Sequence, residues 1–260
     1  MERPITRRMV LQLMAGLPLA GVGGSPAFAH RRSLIGRLIA EAQAPPRVAE
    51  RIGFISRALL GVRYQANTLI GGPRHREVFV VRDDAFDCVT FCEVVLAAAL
   101  ARDLAEFETS LRRIRYQHGE VKWEERNHYF ADWSRRAVEN RVCRPVMMEP
   151  SVTIEKRVNW RNLGKRRVSL TVIPRATFLA NTSLLAGGDL LGFVSRRPNL
   201  DFFHTGLVAF GKGGELMLRH ASRRRGRIAD ERMDTFVASS RVRYVTVLRA
   251  VEVAAIAGDR

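Results

Sequence analysis

Apolar positions in the first half of the chain recur at helical spacing. After Pro45-Pro46, the residues Val48, Ile52, Ile55 and Leu59 fall on one helix face, and Gly61 supplies the left-handed residue that ends such a helix. Gly71-Gly72-Pro73 marks a turn ahead of a short strand at 78–81. The firmest helix follows Asp87, a good N-cap: Cys88-Val89-Thr90-Phe91-Cys92-Glu93-Val94-Val95-Leu96 runs into alanines with no Gly or Pro before Glu106. Phe91, Cys92, Val95 and Ala99 share the face of Cys88, so that stripe is expected against the core. Leu104, Phe107, Leu111 and Ile114 repeat the period up to a stop at Gly119, and an aromatic segment, 123–133, leads into a short helix near Ala137.

From Ser151 the period falls to two. Segments 152–154, 168–173, 190–194, 205–210, 215–219 and 243–248 read as strands separated by Gly, Pro, Asn and charged turns. Helices followed by strands predict an α+β fold with the helices packed on one side of an antiparallel sheet. No internal repeat or low-complexity linker interrupts, so residues 45–260 are expected to form a single domain behind a mobile basic lead at 30–44.

The first 29 residues read differently. Thr6-Arg7-Arg8-Met9-Val10-Leu11-Gln12, a mostly apolar stretch to Val22 and an ending in Ala27-Phe28-Ala29 make an export signal cleaved after Ala29. The apolar run is shorter than the roughly 20 residues a spanning helix needs, so it is not a membrane anchor. The paired arginines resemble the twin-arginine signal, with Val10 and Gln12 where its consensus prefers Phe and Lys. Twin-arginine or general export machinery is therefore the expected first partner.

Composition narrows the remainder. With 260 residues, 47% apolar and 27% charged, the chain has room for a real core and is neither disordered nor a disulfide-dense scaffold. Its net charge is +17, and loss of residues 1–29, with three Arg and one Glu, leaves +15. An anionic partner such as a cell-envelope polymer fits that excess, whereas export and the lack of a recognition motif argue against nucleic acid. Cys88, Cys92 and Cys143 are too few for a disulfide framework, so at least one is a free thiol in an oxidising compartment.

Cys88 occupies the first turn of its helix, where unpaired N–H groups and the dipole favour a thiolate nucleophile. Cys92 reads as a small buried hydrophobe. His204 stands at the start of a strand, and after the turn at 211–214 the sequence Leu216-Met217-Leu218-Arg219-His220-Ala221-Ser222 returns antiparallel. In that hairpin residue 204 pairs with 220 or 221, so His220 would lie beside His204 and orient its imidazole as the third member of a nucleophile, base and orienter set. A zinc site built on the two histidines has no third ligand but Cys88. Arg126, His128, Tyr129 and Asp132, with Asp87 and Thr90, mix planar, donor and acceptor groups suited to a sugar or peptide pocket; core packing and a salt bridge between Arg126 and Asp132 are the structural alternatives. Asp189, after Gly187-Gly188, reads as turn chemistry. Arg196-Arg197 and Arg223-Arg224-Arg225 are solvated loops or holders of carboxylates.

Asp87-Cys88-x-Thr90-Phe91-x-Glu93, Ile114-Arg115-Tyr116, Arg126-Asn127-His128-Tyr129-Phe130-x-Asp132-Trp133, Gly188-Asp189, His204-Thr205-Gly206 and His220-Ala221-Ser222 occur in that order over residues 48–249. The set resembles the N-acetylmuramoyl-L-alanine amidase-like family of NlpC-type, papain-like cell-wall cysteine hydrolases. The resemblance implies a papain-like fold, Cys88 as nucleophile, His204 as base and His220 as the polar third member. It also implies hydrolysis of the amide joining N-acetylmuramic acid to L-alanine in peptidoglycan fragments, anhydro-muropeptides in particular, with no metal or other cofactor. Cys92 departs from the small or branched aliphatic residue expected there, and residues 135–150 are more basic than the family pattern. The rival readings are an endopeptidase cutting L-Ala from D-Glu in the stem peptide, and a non-enzymatic basic wall-binding protein whose Cys88 is inert.

Overall fold

Helix α3 (Cys88–Leu100) is the axle around which the other elements pack. Every residue from Thr90 to Ala99 is buried, so the helix has no solvent face; the expected single stripe is corrected to burial all round, as befits a segment apolar at nearly every position. It is enclosed by α1 (Leu34–Glu41), α2 (Val48–Ala58) and α4 (Leu104–Arg115), with α5 (Phe130–Glu139) beyond α4. The computed structural model describes residues 33–159 and 163–252; the expected export signal at 1–29, with its cleavage point, lies outside the described residues. Among the described residues no helix is long and apolar enough to cross a membrane.

The lead expected to be mobile contains α1 instead. Its Ser33 hydroxyl accepts from the Gly36 N–H, and Ile35, Leu38 and Ile39 are buried, a helical period that the surrounding basic residues obscured in the sequence.

A ten-stranded, curled and largely antiparallel sheet receives the helices. Its strands are β1 (Arg63–Tyr64), β4 (Ala85–Phe86), β5 (Cys143–Pro145), β6 (Val152–Val158), β7 (Arg166–Pro174), β8 (Leu190–Val194), β9 (Phe202–Phe210), β10 (Leu216–Ser222), β11 (Arg227–Arg232) and β12 (Tyr244–Ala250), while β2 (Ile70–Gly72) and β3 (His75–Val78) form a separate hairpin. The order is β4-β1-β11-β10-β9-β8-β12-β7-β6, with β5 on β12; β1 and β4 run parallel. The expectation of helices on one side is half right. α6 (Arg175–Ala180) and α7 (Met233–Ser239) cover the opposite face, where Phe178, Phe236 and Val237 meet Phe193, Val208, Leu218 and Val245. All five residues of β8 are buried, a pattern that calls for cover on both faces.

Two buried ion pairs tie the helical layer together. Glu93 of α3 meets Arg115 of α4 at 2.8 Å, and Arg115 also donates to the Val80 carbonyl. Glu77 accepts from Arg126 at 3.1 Å and from the Tyr116 hydroxyl at 2.9 Å.

The pairing that matters is between β9 and β10. They pair only from Leu207↔Arg219 to Phe210↔Leu216, yet β10 continues beside β11 as far as Ser222↔Arg227, and β9 continues beside β8 back to Phe202. The β9–β10 register ends at Leu207, and the first turn of α3 meets the strands there.

Candidate active site

Asp87 caps α3: its carboxylate accepts from the Thr90 N–H at 2.9 Å while the Thr90 hydroxyl accepts from the Asp87 N–H at 3.0 Å. Such reciprocal capping fixes where the helix begins and is worth about 1 kcal/mol. Cys88 is thereby the first helical residue, half-buried. The Thr205 hydroxyl of β9 donates to the Cys88 carbonyl at 2.8 Å and lies 3.7 Å from the Cys92 sulfur. One threonine therefore anchors the helix start to the strand position next to His204.

His204 and His220 meet on the α7 side of the sheet, with His204 Nε2 2.6 Å from His220 Nδ1 and the rings nearly perpendicular. The register differs from expectation. Extending the ladder past Leu207↔Arg219 puts His220 opposite Gly206, not His204, and the rings meet diagonally over that glycine. A Cβ at 206 would stand 2.7 Å from Leu218 Cδ1, 2.9 Å from the Arg219 carbonyl and 3.0 Å from His220 Cβ, so the absent side chain is what makes room. Phe236 of α7 closes the pair from below, 5.4 Å and 5.5 Å from the two ring centres.

Behind His220 stands Glu231 of β11. Its Oε2 lies 3.5 Å from His220 Nε2, and its Oε1 accepts from Arg224 at 2.8 Å. Sequence reasoning missed it because β11 was not predicted; a Gly226 turn followed by residues pairing back onto 217–222 was the available signal. Tyr64 was missed as well. Its neighbour across β1 and β4 is Phe86, two residues before Cys88, and its N–H donates to the Gly226 carbonyl at 2.8 Å. Burial and the charges of Cys88 and Asp87 raise its phenol above the usual tyrosine value.

The resting electrostatics oppose the thiolate expectation. Burial and then the Asp87 carboxylate push the Cys88 thiol up to about 11, against hydrogen bonds from Thr205. Burial, then the neighbouring His220, holds His204 down at about 3, and burial holds His220 at about 4. The free site is thus thiol and neutral imidazoles, because desolvation outweighs the helix-end field.

The remaining candidates separate from this cluster. Asp87 and Thr90 serve the cap. Arg126 is buried in its pair with Glu77, not with Asp132; Asp132 instead bonds Arg166, whose guanidinium lies over Tyr129. His128 contacts the Trp123 carbonyl at 2.6 Å. Arg126, His128, Tyr129 and Asp132 line a polar cavity of about 220 Å³. A larger cavity, about 610 Å³ between α5, β7 and β12, touches none of Cys88, His204 and His220. A shallow cleft of about 500 Å³ lies at the sheet end that bears His204, lined by Arg175, Arg196, Arg241 and Arg243 with no carboxylate among the described residues. Asp189 is turn chemistry, accepting from the Ala186 N–H at 2.8 Å and from Arg249. All three cysteines are free, with Cys92 and Cys143 buried. Among the described residues no group of three or more His, Cys, Asp or Glu is placed to hold a metal ion.

Known structures share this architecture. A Legionella pneumophila protein superposes with a TM-score of 0.75 at 19% identity, over 86% of this chain and 95% of its own. An N-acetylmuramoyl-L-alanine amidase from Bacteroides uniformis does so at 0.67 and 23%, over 76% of this chain and 98% of its own, and a second structure from that organism with the same description at 0.68 and 22%, over 84% and 100%. At these identities the likeness is one of fold. No curated protein matches the sequence. A family model does: described as AmiA-like, N-acetylmuramoyl-L-alanine amidase-like, it matches residues 54–242, from within α2 to just short of β12. That stretch takes in most of the chain, including Cys88 and both histidines, and the protein belongs to the N-acetylmuramoyl-L-alanine amidase-like family.

Proposed function

We propose that the protein is a cysteine amidase that hydrolyses the bond between N-acetylmuramic acid and L-alanine in peptidoglycan fragments, anhydro-muropeptides foremost. The observation that carries this reading is the anchoring of the Cys88 helix start, through Thr205, to the strand position next to the His204–His220 contact. Cys88, His204 and His220, carried on three rigid elements, supply the nucleophile, base and orienter that thiol acyl transfer calls for. The resemblance of the sequence motifs to NlpC-type, papain-like hydrolases supports the same roles.

The reaction starts from neutral partners. Cys88 Sγ attacks the lactyl carbonyl of the muramoyl group as its proton passes to His204, so charge appears only with substrate bound. His204 then protonates the departing alanine nitrogen, leaving a muramoyl thioester, and next draws a proton from the water that hydrolyses it. The Cys88 N–H at the helix start donates to the developing oxyanion. The carboxylates of the stem peptide, leaving toward the sheet end, match the arginine cleft at 175, 196, 241 and 243. Strand spacing of about 4.8 Å and rise of about 3.3 Å per residue set that cleft on the order of 10 Å from His204, the reach of a short peptide.

Incubation with muropeptides of both glycan types, followed by mass identification of the products, tests the reading. The amidase releases peptides that begin with L-Ala, and Cys88→Ala abolishes release. Peptides beginning with D-Glu would instead establish the stem-peptide endopeptidase, and no cleavage at all would favour a wall-binding protein. The same reading places the enzyme outside the cytoplasm, so sequencing of the exported form should find His30 at its N-terminus.

A further inference from the structure

We propose that Glu231 is a positioning residue that sets the tautomers of the His204–His220 pair, and that Arg224 decides which of its atoms faces His220. The inference rests on the reading of His204 as the base for Cys88.

His220 is 2% exposed, and among the described residues its Nε2 makes no hydrogen bond; the carboxylate it faces is that of Glu231, itself 5% exposed, 3.5 Å away. The charged groups around the ring are few. Arg225 comes from the β10–β11 turn, Asp230 and Glu231 from β11 and His204 from β9, while α7 contributes the Phe236 ring. Asp230 is already held by Arg219 through contacts of 2.8 Å and 2.7 Å. Glu231 is therefore the acceptor that the buried Nε2 faces, and a neutral ring places its one proton on that nitrogen. His220 Nδ1 is then bare. It lies 2.6 Å from His204 Nε2, which must donate to it. His204 in turn has its single proton on Nε2 and a bare Nδ1, the lone pair that on the proposed reading accepts the Cys88 proton.

Arg224 makes the arrangement directional. It holds Glu231 Oε1 at 2.8 Å and, having only donors, tolerates only an oxygen there. In Glu231→Gln the amide oxygen must face Arg224, so the amide nitrogen faces His220. Each proton in the chain then moves to the other nitrogen of its ring, and His204 presents N–H instead of a lone pair to the sulfur. Removing Arg224 as well lets the amide turn over and restores the original order.

Histidine-labelled protein in a long-range proton–nitrogen NMR experiment reads the tautomers directly and needs no substrate. The native protein is expected to show Nε2–H at both His204 and His220, and Glu231→Gln to show Nδ1–H at both. Turnover of muropeptide by Glu231→Gln should fall at least about tenfold in kcat with KM little changed, since a wrong tautomer disables the base. Glu231→Gln/Arg224→Ala should regain several-fold. Nδ1–H at His204 in the native protein overturns the proposal, whether or not the variant folds; so does a Glu231→Gln protein with native tautomers and native kcat. Native tautomers as expected, in a protein that cleaves no muropeptide, would sink the amidase reading and leave this assignment standing.

Discussion

Acidification from pH 7 to pH 5 should loosen this fold through two imidazoles. Burial holds His204 at about 3 and His220 at about 4 in the folded protein, against about 6.5 for a histidine in water. The folded pKa values are depressed, so between about 6.5 and 4 the unfolded chain takes up protons that the folded one refuses. Stability present above pH 6.5 is accordingly lost as the pH falls. Over the two units from pH 7 to 5 each imidazole costs about 2 kcal/mol, and the pair about 4 kcal/mol, a large part of the 5–15 kcal/mol typical of a domain. Urea unfolding followed by circular dichroism at pH 7, 6 and 5 measures the loss. His204→Asn removes one of the two groups while leaving every carboxylate in place, so its stability should fall by about 2 kcal/mol less over the same range. Equal slopes for the native protein and the variant would refute the claim that His204 is held neutral by burial.

Other consequences follow from single contacts. Gly206→Ala should displace His220 from His204, because its Cβ would meet Leu218, Arg219 and His220 at 3.0 Å or less; turnover should drop at least tenfold, and unchanged kinetics would show that the diagonal ring contact is dispensable. Arg115→Met strands the Glu93 carboxylate, which is 2% exposed, and should cost about 3–5 kcal/mol in denaturant unfolding, whereas a loss under about 1 kcal/mol would contradict the buried pair. Asp87→Ala should destabilise by about 1 kcal/mol through the lost cap while lowering the Cys88 pKa, since Asp87 is the second cause of its elevation; alkylation by iodoacetamide across pH 7–11 reads that shift, and an unmoved profile contradicts it.

The legible parts of the sequence were those where one physical signal dominated. An N-cap followed by an unbroken apolar run located the start of α3 to the residue, though not its end at Leu100, and two histidines flanking a glycine turn located the hairpin. Leu207 to Phe210 already suggested a strand buried on both faces, but the helices that cover the second face were harder to see, because α6 and α7 are only six and seven residues long and carry little periodicity. β11 was invisible for a different reason: Arg227-Ile228-Ala229-Asp230-Glu231-Arg232 looks like a solvated charge run, and its carboxylate acquires meaning only when Glu231 is set beside His220. The protonation of Cys88 was misjudged for the same reason. Helix-end polarity is local and can be read from the sequence, whereas desolvation by β9 and its neighbours is a property of the assembled fold. Arg126 and Asp132, matched by charge in the sequence, each found another partner.

On the proposed mechanism the muramoyl group becomes attached to one sulfur, that of Cys88. Acid-quenching the enzyme during turnover of a muropeptide and weighing the intact protein, then its Cys88 peptide, observes that bond directly. The thioester route yields an adduct on Cys88 with the mass of the glycan acyl group and none on Cys88→Ala. An adduct heavier by one alanine residue would move the cut into the stem peptide, and steady cleavage with Cys88 never modified would contradict the thioester.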